Sequence, residues 1–193
     1  VRATGPTGTI CGGGSIELIG SATESGLSYK WTKGSEEVST TANYTINQAY
    51  SSHSGMYVFT ATNEYGCSAD ASVTITVTDP IEVAISVNGN QITANNPVSI
   101  CEGSSVTLTA VKPEGEIREY TYTLKNGEST IGTSSNGSYN IQNPTPGTYT
   151  LEVATGSCAT TYTVLTVHAK PVVSISGETT TICAGGSTTL TAE

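Results

Sequence analysis

The sequence predicts an all-β chain assembled from a repeated unit, and three observations predict it. Apolar residues recur with period two along several short segments, the mark of strands with one buried face. Those segments are separated by the Gly, Asn and Pro clusters "VNGN", "KNGE", "SSNGS" and "NPTPG", residues that favour turns. One phrase also occurs three times: "TICGGGSIEL" from Thr9, "SICEGSSVTL" from Ser99 and "TICAGGSTTL" from Thr181. No helical stripe of ten residues or more interrupts this pattern.

The repeat sets the organisation, because internal periodicity outranks a length prior. Cys11 and Cys101 are 90 residues apart and Cys101 and Cys183 are 82 apart, a spacing suited to small domains rather than solenoid repeats. Two units are expected, 1–79 and 80–170, with 171–193 supplying the first strands of a third. Asp79-Pro80 and Lys170-Pro171 mark the joints, since proline is confined to strand starts and edges. Val1 aligns with Val173 of "PVVSISG" when counted back from the cysteines, so both ends are expected to be cut from a longer array.

Each element follows from local pattern. "ASVTITVTD" places Val73, Ile75 and Val77 on one face, "IEVAISV" does so with Ile81, Val83, Ile85 and Val87, and "SVTLTAV" with Val106, Leu108 and Ala110. "TYTVLTV" does the same with Tyr162, Val164 and the neighbouring Leu165 to Val167. In each unit the cysteine phrase is followed by an aromatic strand, "LSYKWTKGS" and "YTYTLKNGES", then a Gly-x-Tyr strand, "HSGMYVFTATNEYGC" and "TPGTYTLEVATGSC", and finally an alternating strand that ends the unit. The segment "NGNQITANNP" is expected as a hairpin or loop insertion.

Composition narrows the function classes. Seven basic against 16 acidic residues give a net charge of -9, which repels nucleic acid and anionic lipid. No run of 18 apolar residues and no charged, then apolar, leader is present in these residues, so no membrane insertion or signal segment is expected within them. Cys11 and Cys67 are 56 residues apart and Cys101 and Cys158 are 57 apart. That match argues for one disulfide inside each unit and an oxidising, extracellular or cell-surface location, leaving Cys183 as the unpaired thiol. Closing a loop of that size is worth about 4 kcal/mol in a chain-entropy estimate. Buried free thiols are the competing reading; no CxxC or HxxxH spacing suggests zinc.

The order of landmarks resembles an immunoglobulin-like β-sandwich. Trp31 occupies the place of the core tryptophan on the third strand. Tyr57 after Ser54-Gly55, and Tyr149 after Pro146-Gly147, resemble the tyrosine that hydrogen-bonds back at the corner before the sixth strand. Leu124 replaces the tryptophan in the second unit, and Leu18 and Phe59 stand where antibody domains carry cysteines. The cysteine placement, "IC.GGS" or "IC.GSS" early and "GC" or "SC" late, is similar to the tandem Ig-like repeats of large cell-surface and gliding-type adhesins of the Bacteroidota. That resemblance implies a non-enzymatic structural or adhesive stalk whose partners are neighbouring repeats and a surface glycan or protein ligand.

Candidate sites are sparse. His53 and His168 lie in different units, no GxSxG elbow occurs, and no catalytic residue, cofactor or metal is assigned. Glu114, Glu116 and Glu119, with Glu64, Asp79 and Glu82, could give calcium oxygen ligands at a joint; a solvated acidic surface is the alternative. Tyr44, Tyr50, Tyr65, Tyr120 and Tyr139 would stack on sugars or proteins if exposed, or fill cross-strand pairs if not. Asn43 and Asn136 begin formal N-glycosylation sequons. Two further readings stay open: a glycan- or protein-binding module using "EEVSTTANYT" or "KPEGEIREYTY", and a filament subunit that assembles by strand exchange through the third phrase.

Overall fold

The computed structural model describes residues 1–93, 96–177 and 181–192. It is all-β, with one 3-10 turn at Ser51–His53 as the single helical element among those residues. Strands β1 (Arg2–Thr4), β3 (Ile16–Ser21) and β6 (Asn43–Ile46) form a three-stranded sheet. A five-stranded sheet runs in the order β2 (Thr9–Cys11), β8 (Ser68–Thr78), β7 (Gly55–Thr62), β4 (Ser28–Lys33), β5 (Glu36–Ser39). Their facing sides enclose one core of Ile16, Leu18, Trp31, Tyr57, Phe59 and Ile75, with smaller neighbours.

The second half repeats the plan around a separate core. Strands β9 (Ala84–Val87), β10 (Asn90–Ile92), β12 (Val106–Val111) and β15 (Ser138–Ile141) make one sheet. Strands β11 (Val98–Cys101), β17 (Cys158–His168), β16 (Gly147–Thr155), β13 (Thr121–Asn126) and β14 (Ser129–Ser134) make the other. The "NGNQ" segment is a hairpin: Asn88 and Gly89 take positive φ of 50° and 79° and let β9 turn into β10, as an Asn-Gly turn does. Ala94 and Asn95 of the insertion lie outside the described residues. Ile81 is buried although the strand starts only at Ala84.

"TYTVLTV" departs from the expected alternation for a geometric reason. The β16/β17 register shifts between Tyr149 and Thr150, so one extra residue sits on β17, and Val164 and Leu165 are both buried. A β-bulge turns two consecutive side chains toward one face in this way.

The repeated phrase also has a backbone reason. In each copy it places a glycine in the left-handed region, Gly13 at φ 93°, Gly103 at 82° and Gly185 at 86°, where a Cβ is disfavoured. In the first two copies the strand just before it pairs in parallel with the last long strand, Cys11 opposite Thr78 and Cys101 opposite His168. The third copy is followed by β19 (Leu190–Ala192), which pairs with β18 (Ile175–Gly177) in a two-stranded sheet. Self-pairing is thus the arrangement seen there; Ile175, Ile182 and Leu190 stay exposed, and residues 178–180 and 193 lie outside the described set.

The two cores solve one volume problem differently. Trp31 and Phe59 are directly paired across β4 and β7, and a Cβ at Gly20 would meet the Phe59 ring at 2.4 Å. In the corresponding places of the second core Leu124 pairs with Leu151, and Ala110 is fully accommodated at 2% exposure. Bulk on one sheet is matched by its lack on the other. Gly20→Ala is therefore expected to destabilise the first core by about 1–3 kcal/mol in urea denaturation. In a Phe59→Leu background the same substitution should cost measurably less, and equal costs in both backgrounds would refute the pairing of the two volumes.

Candidate functional site at the junction of the two halves

β8 ends at Thr78 and the chain passes through Asp79-Pro80 into the second half. The Asp79 carboxylate is fixed first: the Ser51 amide and hydroxyl each donate to it at 2.8 Å. Those two bonds, the backbone one foremost, hold its pKa below the usual carboxylate value. The connecting carbonyls are then gripped from the other side. Arg118, on the segment between β12 and β13, donates from Nη1 to the Asp79 carbonyl at 2.7 Å and from Nη2 to the Pro80 carbonyl at 3.1 Å. Tyr162 donates to the Ile81 carbonyl at 3.0 Å.

Arg118 is itself held in place. Its Nε donates to both Glu116 oxygens at 3.0 Å, and its amide donates to Oε1 at 2.8 Å. The Tyr120 hydroxyl donates to Glu116 Oε2 at 2.9 Å, and the Lys112 ammonium donates to the Arg118 carbonyl at 2.8 Å. Hydrogen bonding from the Arg118 guanidinium, with its amide next, lowers Glu116 from 4.5 to about 2. Burial, then the bond to Glu116, pushes Tyr120 up to about 12. The result is a guanidinium pre-set by a carboxylate so that its remaining donors face two backbone carbonyls. A fork with fixed geometry suits that task better than a flexible ammonium.

A covalent bond joins the halves beside this clamp. Cys11 pairs with Cys158, 147 residues apart in sequence, with Cα atoms 5.6 Å apart; Thr78 Oγ1 lies 3.4 Å from the Cys158 sulfur. This corrects the expected pairings within each unit: Cys67 and Cys101, like Cys183, are free and exposed. The reason is strand length. Cys11 lies opposite the last residue of β8 and Cys67 precedes its first, so about 11 residues at about 3.3 Å each put them roughly 30 Å apart or more. Cys101 and Cys158 stand at opposite ends of β17 in the same way. A disulfide needs Cα atoms within about 7 Å. The matched spacing of 56 and 57 reported equivalent positions, not neighbours.

Close backbone approach at the bond explains one departure between the copies. A Cβ at Gly12 would sit 2.2 Å from the Thr78 carbonyl and 3.0 Å from Pro80, so the first copy has glycine there. In the second copy the position is Glu102, whose amide donates to the His168 carbonyl at 2.9 Å and whose carboxylate accepts from the Lys170 amide at 3.0 Å.

The remaining candidates fall into place around this site. Trp31, Tyr57, Leu124 and Tyr149 are each at most 1% exposed. Trp31 donates to the Ala42 carbonyl at 3.0 Å, and Tyr57 and Tyr149 donate back to His53 and Thr145 carbonyls at 2.9 and 3.0 Å. His53 accepts the Tyr50 amide at Nδ1, while His168 ends β17 in the other half. Of the tyrosines, Tyr120 is buried, Tyr44 and Tyr139 are half-buried, and Tyr50 and Tyr65 are exposed. Among the described residues no group of three or more His, Cys, Asp or Glu could hold a metal ion. Glu116 and Asp79, weighed for calcium, instead accept protein donors. Arg118 escaped the sequence reading, although it is one of only seven basic residues and stands between Glu116 and Tyr120 at every second position.

No protein-family model matches the chain, and no curated protein does either. Solved structures do resemble it. Dpr2 Ig1-Ig2, in complex with DIP-Theta Ig1-Ig3, is 14% identical over 88% of this chain and 100% of that one, with a TM-score of 0.47. Drosophila OTK extracellular domains 3-5 are 16% identical over 86% and 60%, at 0.44. Murine CEACAM1b is 15% identical over 88% and 98%, at 0.41. These neighbours are Ig-like domain proteins; likeness of this degree carries no function across.

The clamp should respond to acid with a definite sign. Glu116 is depressed in the folded chain, so its contribution is complete above about 4.5 and is lost as the pH falls through about 2. A thermal melt series from pH 6 to pH 2 should show that loss, and Glu116→Gln should flatten it. Arg118→Ala should cost on the order of 2 kcal/mol at neutral pH.

Proposed function

We propose that the chain is a non-enzymatic structural and adhesive segment of a secreted or surface-exposed repeat protein, of the kind found in large Bacteroidota adhesins. On this reading residues 1–79 and 80–170 are two immunoglobulin-like domains and 171–193 begins a third. The tyrosine-corner hydrogen bonds of Tyr57 and Tyr149 and the buried Trp31 support the domain type. The disulfide supports an oxidising location; among the described residues no helix is long and apolar enough to cross a membrane.

The observation that carries the stalk reading is the Cys11–Cys158 bond. A single peptide connection leaves two bodies free to swing, whereas a second covalent connection beside it leaves a hinge, and the Arg118 grip on Asp79 and Pro80 opposes rotation about that hinge. The bond also alters what tension can do. Pulled from its two ends, the oxidised chain can extend only through residues 1–11 and 158–193, since 12–157 lie within the covalent loop. A segment that unfolds without lengthening far suits a stalk that must keep its attachment under shear.

Single-molecule pulling from the termini tests this. Reduction, or Cys11→Ser with Cys158→Ser, should add about 500 Å of contour length relative to the oxidised chain, from roughly 146 released residues at about 3.4 Å each. Equal contour lengths in both states would overturn the stalk reading.

A further inference from the structure

Two of the three free thiols, Cys67 and Cys101, occupy complementary positions in the two halves. Each half carries one cysteine at its foot, where the repeated phrase meets the last long strand, and one at its head, after the turn that leads into that strand. Cys101 stands where Cys11 does: it ends its strand in parallel register with the last long strand, two residues before a glycine at positive φ. Cys67 stands where Cys158 does. The Asn63 amide donates to the Cys67 carbonyl across the β7–β8 turn, as Thr155 pairs with Cys158 across the β16–β17 turn. The bond present joins the foot of the first half to the head of the second. What remains is the head of the first half, Cys67, and the foot of the second, Cys101, both exposed and free.

The surroundings fit the same docking. At the observed junction Arg118 of the head donates to the Asp79 and Pro80 carbonyls of the foot, and the Asp79 carboxylate adds a smaller charge attraction. At the open ends, the foot beside Cys101 carries the Lys170 ammonium against Gly103 together with the Glu102 carboxylate, which accepts from the Lys170 amide. The head beside Cys67 carries Glu24, which lines with Leu27, Ala61 and Cys67 a cleft of about 260 Å³, and Glu64 lines the adjoining one.

We propose that Cys67 and Cys101 are the open ends of a disulfide ladder: each bonds a neighbouring unit of this same repeat, foot to head, and a second copy of this chain can supply that unit. The inference rests on the tandem-array reading. Bond formation joins the two sulfurs and releases two protons and two electrons, which a disulfide oxidant such as glutathione disulfide accepts as it becomes two thiols. The bond inside the chain serves as the internal precedent for geometry.

The test uses the full chain carrying Cys183→Ser, which removes the third thiol, incubated in a glutathione redox buffer and resolved without reduction. Peptide mapping should find Cys67 linked to Cys101 between chains, in open oligomers that grow with concentration, with the Cys11–Cys158 peptide intact. Cys67→Ser or Cys101→Ser in that background should abolish every covalent oligomer. Cys67–Cys67 or Cys101–Cys101 links in statistical proportion, closed symmetric dimers, or monomer throughout would overturn the ladder. The contour-length measurement on the single chain is independent of these outcomes, so failure of the ladder and failure of the stalk reading are separable.

Discussion

The constraint on which the architecture depends is that two halves with separate cores are joined twice, by the peptide at Asp79-Pro80 and by the sulfurs of Cys11 and Cys158. The sequence around the junction is arranged to permit it. Gly12 lacks a side chain because the Thr78 carbonyl and Pro80 occupy the space a Cβ would need. Gly13 supplies the left-handed turn that returns the chain to β3. Thr78, opposite Cys11 in the parallel pair, donates to the Ile10 carbonyl at 3.3 Å and lies against the Cys158 sulfur. A chain-entropy estimate for a loop of 147 residues is about 5 kcal/mol, and that loop contains strands of both halves. The bond therefore couples the stability of two cores that share no buried cluster.

Inside each half, stability comes from complementary bulk rather than from polar contacts. Among the described residues neither core contains a buried polar or charged residue outside its tyrosines. Four tyrosines, Tyr57, Tyr149, Tyr139 and Tyr162, offset the cost of burying a hydroxyl by donating it to a backbone carbonyl, and Tyr120 donates to the Glu116 carboxylate. Burial raises the pKa of Tyr57, Tyr139 and Tyr162, which keeps those donors protonated over the physiological range.

Much of this was legible in the sequence, and the limit is instructive. Period-two alternation found the strands that bury a face, but not the bulge that turns Val164 and Leu165 to the same side. The Gly-x-Tyr pattern found both corner tyrosines because one local turn serves them. The cysteines failed for a physical reason: spacing along a chain measures equivalence between repeats, while bonding depends on which ends of the halves meet. Nothing in residues 1–79 alone says that Cys11 faces the head of the other half. Arg118 failed for the same reason, since its partners are carbonyls of Asp79 and Pro80, and backbone acceptors leave no mark in a sequence. The acidic residues beside it drew attention to calcium, yet in the fold Glu116 serves to orient an arginine.

The two devices at the junction divide the mechanical task. A disulfide limits how far two points can separate but leaves rotation about the line between the two connections. Arg118 bonds to consecutive carbonyls of the connecting peptide, so rotation of that peptide must break charge-assisted hydrogen bonds in a partly buried setting. Both of its charged components are insensitive to ordinary changes of pH: a guanidinium does not deprotonate, and Glu116 at about 2 does not take up a proton in mildly acidic surroundings. Neither histidine bonds Arg118 or the connecting carbonyls: His53 accepts the Tyr50 amide in the turn that also carries Ser51, and His168 ends β17. The bonds from Arg118 to the connecting peptide therefore keep both of their charged components through mildly acidic surroundings.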